Sequence, residues 1–107
     1  GARCAVTGSA TEAVLEAAHI HPYRGGHTNM VTNGLLLRAD IHTLFDLCLL
    51  TVTVEGGRYI VRVGPAVTEP AYRALDGQPL RVLPKSRNAL PSRRLLADHN
   101  AACDWLG

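Results

Sequence analysis

Two short runs constrain this chain more than any other feature. Thr51-Val52-Thr53-Val54 and Tyr59-Ile60-Val61-Arg62-Val63 alternate and are β-branched, and Glu55-Gly56-Gly57 joins them. Alternation with period two, interrupted by paired glycines, specifies a β-hairpin. A hairpin has a face to bury, so the rest of the chain must cover it. With 107 residues there is enough chain for one modest core and not for two. A composition that is 47% hydrophobic and 19% charged fits a globular protein and argues against disorder. The most apolar stretch, Leu44 to Val54, is interrupted by Asp46 and is shorter than the roughly 18–20 residues of a membrane helix. No charged-then-apolar leader opens the chain. It begins with Gly1 rather than Met, so residues 1–107 are read as one domain of a longer protein.

The other elements follow from punctuation. Residues 1–12 are turn material around Thr7-Gly8-Ser9. Val14 to Ile20 is short, apolar and bounded by Pro22 and Gly25-Gly26, and is read as a strand. Residues 23–32 read as an exposed loop. Asn33-Gly34 is a turn signal before Leu35-Leu36-Leu37, a short buried strand. Ala39 to Leu47 carries apolar residues at mixed spacings of three and four, a short amphipathic helix. Thr68 to Leu75 is expected to be a helix capped by Thr68 and stopped at Gly77. Leu80 to Leu83 reads as a strand. Pro91 opens a last helix, Ser92 to Trp105, with Leu95, Leu96, His99, Ala102, Cys103 and Leu106 on one face.

Charge and cysteine usage narrow the setting. The formal charge is +2, which permits nucleic-acid binding without demanding it. Lys85 is the only lysine, so the other basic residues are arginines, whose planar fork suits phosphate. Cys4, Cys48 and Cys103 form no Cys-x-x-Cys pair, and their odd number disfavours a disulfide framework. A reducing, cytoplasmic setting is expected. Cys48 reads as core filling. Cys4 and Cys103 could meet around a metal with a histidine, but ordinary packing is the simpler reading.

The chemistry concentrates in residues 16–46. His19 ends a strand, Asn33 stands at a turn, and Asp40 and His42 lie on a helix. A strand-end histidine can serve as a base, a helical one as a metal ligand, and a turn asparagine can hold a loop through its backbone. His19, Asn33 and His42 are fourteen and nine positions apart. Around them stand Cys4-x-Val6-Thr7-Gly8, Ala18-His19-Ile20-x-Pro22-Tyr23, Asn33-Gly34-Leu35-Leu36-Leu37 and Asp40-x-His42-x-Leu44-Phe45-Asp46.

This string resembles the HNH endonucleases, and within them the branch found in McrA-like restriction enzymes and other bacterial defence proteins. Tyr72-x-x-Leu75-x-Gly77 and Leu96-x-x-His99 look like that branch's C-terminal extension, so the resemblance spans nearly the whole chain. It implies an α+β fold with a ββα-metal core, an added β-hairpin and a C-terminal helix. It implies a metal-dependent DNA endonuclease in which His19 is the general base, Asn33 pins the loop, and His42 binds one divalent cation. Mg²⁺ is the first expectation for that cation, with Mn²⁺, Ni²⁺ and Zn²⁺ as others. Arg24 and Arg38 are the expected contacts to the backbone of double-stranded DNA. A specificity or sensor domain elsewhere and a possible homodimer complete the expected partners; a membrane is not among them.

The sequence departs from the family at Ala18, where many members carry a ligand. Asp40 or Asp46 is expected to make good the loss, or waters alone suffice. Asp40 and His42 point about 200° apart on an ideal helix, so both reach one ion only if Asp40 lies in the turn leading into it. The alternative for Asp40 is the helix N-cap. His21 and His27 read as surface residues, His99 as a structural hydrogen-bonding group, and Phe45 and Trp105 as core. A catalytically inactive nuclease-like module that binds nucleic acid or protein is the alternative function.

Overall fold

Residues 15–19 and 34–38 pair as the first of two antiparallel hairpins in the computed structural model, which describes residues 2–20 and 33–107. The expected loop 23–32, with Arg24 and His27, and His21 before it lie outside the described residues. Strand β1 (Leu15–His19) pairs with β2 (Gly34–Arg38), with Leu15 opposite Arg38 and His19 opposite Gly34. The Ile20 N–H donates to the Asn33 carbonyl at 2.9 Å and extends the ladder by one rung. Alternation sends Ala18, Ile20, Leu35 and Leu37 to one buried face. Glu16, opposite Leu37, lies on that same face at its exposed end.

Strand β2 runs straight into helix α1 (Ala39–Asp46). Ile41 and Phe45, four apart, are fully buried where α1 packs on β1, β2 and the next hairpin. The helix ends in a Schellman arrangement: Cys48 N–H donates to Phe45 O at 3.1 Å and Leu49 N–H to Leu44 O at 2.9 Å. Cys48 takes the left-handed position there, with φ 56°.

The hairpin expected from the alternating runs is present as β3 (Leu50–Glu55) and β4 (Arg58–Val63). Gly56 and Gly57 turn it with φ of 58° and 79°, a conformation that favours glycine. Leu50, Val52, Val61 and Val63 form its buried face. Helix α3 (Arg93–Ala101) lies against β3, and its Ser92 N-cap accepts from Leu95 N–H at 3.2 Å.

Three expectations are corrected. Helix α2 is Pro70–Arg73, not Thr68 to Leu75; Glu69 is its N-cap and Thr68 caps nothing, because Pro70 sets the first helical position. Residues 80–83 form no strand. One bridge joins Pro79 to Ile60; Leu80 N–H then reaches Tyr59 O, while Arg81 and Val82 both turn to Ala5 O, so no ladder continues. The last helix stops at Ala101. A short 3₁₀ turn, Asp104–Leu106, follows and brings the Trp105 indole N–H onto Cys48 O. No helix among the described residues is long and apolar enough to cross a membrane.

Candidate active site at the hairpin–helix junction

His19 is the last residue of β1, half-buried, and leaves the strand on the face opposite Ala18. Asn33 is buried immediately before β2 and gives its carbonyl to Ile20. The first hairpin therefore holds both residues at its closed end.

His42 projects from α1 between two carboxylates. Its Nδ1 stands 2.7 Å from Glu16 Oε1 on β1, and its Nε2 stands 3.2 Å from Asp46 Oδ2 one turn along the helix. The side chains of Glu16 and Asp46 are about half exposed, so the array opens to solvent. The two carboxylates stand at opposite nitrogens of the ring, so the imidazole with either one of them, and not with both at once, is a donor pair that fits a divalent cation. Strand alternation explains why Glu16 is there. It lies two residues before Ala18 on the same face. Sequence reasoning passed over Glu16, although the two-residue spacing carried the signal.

Asp40 sits inside the first turn of α1, so it is neither the N-cap, which is Arg38, nor in a non-helical turn. Its carboxylate accepts from Arg38 Nε at 2.7 Å and Nη2 at 2.9 Å, from Tyr72 Oη at 2.7 Å and from Ile41 N–H at 3.0 Å. The Arg38 guanidinium, aided by the Tyr72 hydroxyl, holds this carboxyl down at about 2. Asp40 thus aims Arg38 while Tyr72 ties both to α2.

A second group of metal-ligating type lies on the other side of α1. Cys48, His99 and Cys103 bring one sulfur or nitrogen each within 4.8 Å of one another. Cys4 is not among them: its sulfur accepts from Thr7 N–H at 3.4 Å and Arg38 N–H at 3.3 Å, bracing the N-terminal turn against β2. His99 packs as expected of a structural residue, stacked on Phe45 with ring centroids 3.9 Å apart.

An antiparallel hairpin feeding directly into a helix, with a histidine at the strand end and another on the helix, defines the ββα class of nuclease folds. The sequence model of the HNH endonuclease family matches residues 4–53. The match takes in the N-terminal turn, both strands of the first hairpin, α1 and the start of β3. The match implies nuclease function in general, with DNA as substrate and a bound metal. A comparison with curated proteins gives no match.

Proposed function

We propose that this chain is a metal-dependent DNA endonuclease domain in which His19 is the general base and His42 a metal ligand. The observation that carries the reading is the position of the His42 ring between Glu16 and Asp46 in the segment that matches the family. His19 takes a proton from the water that attacks phosphorus, a task suited to a neutral imidazole. Asn33 holds the hairpin end and so positions His19. Glu16, at Nδ1, joins His42 as a ligand, and Asp46, at the opposite nitrogen, orients the ring. Asp40, the ligand expected from the sequence, instead orients Arg38 toward a backbone phosphate, and Arg24 is a second phosphate contact. Bound there, one divalent cation, Mg²⁺ by preference, supplies positive charge to the phosphate and to the leaving 3′-oxygen. In-line displacement needs attacking water and leaving oxygen on opposite sides of phosphorus. Alternation along β1 sends His19 and Glu16 to opposite faces of the strand.

The domain reads phosphates more than bases, so sequence selection belongs to another domain of a longer restriction or defence protein. Three free cysteines suit a cytoplasmic setting. Pairing of two copies would cut both strands. The test is incubation with supercoiled plasmid in Mg²⁺, Mn²⁺, Ni²⁺ or EDTA. Cation-dependent nicking that EDTA abolishes is expected. A folded protein that retains DNA but nicks it in none of these cations would instead be an inactive binding module.

A further inference from the structure

We propose that Cys48, His99 and Cys103 form a binding site for a thiophilic divalent cation of the zinc type. These residues play no part in the nuclease reading, and the site stands whether or not that reading holds.

The first argument is the backbone at Cys48. Its φ of 56° is the one positive value among the described non-glycine residues. The position is the residue after the C-cap of α1, where glycine is the usual choice because it carries no Cβ. A cysteine accepts the left-handed strain there and in return places its sulfur 4.0 Å from His99 Nε2.

The second argument is the direction of the hydrogen bonds around His99. Asn100 Nδ2 donates to Val52 O at 3.0 Å, so its Oδ1 is the atom that accepts from Thr51, whose single hydroxyl proton goes there. Thr51 Oγ1 therefore accepts from His99 Nδ1, 2.8 Å away. That leaves Nε2 at 2.8 Å from Phe45 O, an atom that only accepts. A cation at Nε2 would lie beside that carbonyl oxygen and the Cys48 sulfur. An Nδ1–H held by Thr51 and Asn100 is the support that fixes the ring of a metal-binding histidine.

The third argument is the sulfur pair. Cys103 is buried and Cys48 partly so, and with His99 their ligand atoms lie within 4.8 Å of one another. A borderline-soft ion with affinity for thiolate displaces the protons of such thiols. Two thiolates and one imidazole match zinc rather than the hard cations suited to Glu16 and Asp46. Binding releases the two thiol protons, and three donor electron pairs, two from thiolates and one from imidazole, go to the ion. Half-exposed Cys48 gives access, and water takes the remaining coordination position.

The test is titration of the reduced chain with Co²⁺, followed by displacement with Zn²⁺. A thiolate-to-cobalt charge-transfer band should grow to a single equivalent and vanish on adding Zn²⁺. Cys48→Gly suits the left-handed backbone and should keep the circular dichroism of the parent while losing the band. Cys103→Ala should also lose it, and His42→Ala should keep it. A parent chain with no charge-transfer band would overturn the proposal, and so would a band that survives in both Cys48→Gly and Cys103→Ala.

Discussion

The Nδ1 of His42 lies 2.7 Å from Oε1 of Glu16, which joins α1 to the strand that ends in His19. The contact crosses from helix to sheet and sets the angle at which the helical imidazole faces the hairpin. It also makes Glu16 the residue whose removal discriminates best between a ligand array and a surface ion pair.

Glu16→Gln should weaken the apparent affinity for Mg²⁺ or Mn²⁺ by about tenfold or more, with excess cation restoring much of the nicking rate. A surface ion pair with no ligand role would leave the cation dependence unchanged. Nicking rates measured across a Mn²⁺ series separate the two.

His19→Ala should lower the rate of plasmid nicking by about 10²–10⁴ while the circular dichroism stays that of the parent. An unchanged rate would remove His19 from the chemistry. His42→Ala should abolish nicking as well, and unlike His19→Ala it should shift the cation dependence.

Acid should release Asp40 late. Its carboxyl lies at about 2 in the folded chain against the ordinary 3.8, so its contribution is present above the ordinary value and is lost as pH falls toward 2. The Arg38 and Asp40 side chains are 35% and 37% exposed, so solvent screening reduces the contribution to about 1 kcal/mol. Asp40→Asn should lose that amount at pH 7, and its stability should change less than the parent's between pH 4 and pH 2. Urea unfolding at several pH values measures both.

Gly64→Ala should destabilise the fold by about 1–3 kcal/mol. A Cβ there would meet Trp105 Cε2 at 2.9 Å and Leu49 O at 3.2 Å, and the indole would have to leave Cys48 O. Trp105 is the only tryptophan, so a red shift of its emission reports the displacement directly.

The parts of this molecule governed by short-range rules were legible in the sequence. Alternating β-branched runs with Gly56-Gly57 specified β3 and β4, and the spacing of Ile41 and Phe45 specified α1. The order His19, Asn33, His42 pointed to the ββα unit that the fold contains. What escaped depends on contacts between distant segments. Residues 80–83 have strand-like composition, yet their N–H groups are divided between Tyr59 and Ala5. The last helix has apolar spacing through Leu106, but it breaks so that Trp105 can reach Cys48 O. The contacts of Glu16 with His42 and of Cys48 with His99 span 26 and 51 positions, so the sequence alone does not pair them.

His99 holds the Phe45 carbonyl across 54 residues of chain. A ribosome therefore delivers the hairpin and α1 well before the helix that fastens the far end of α1. The nascent nuclease segment would emerge with its fold unfinished and would complete it only when α3 arrives. Long-range closure of this kind slows folding, and here it makes the C-terminal third of the chain the timer for assembly of the first half.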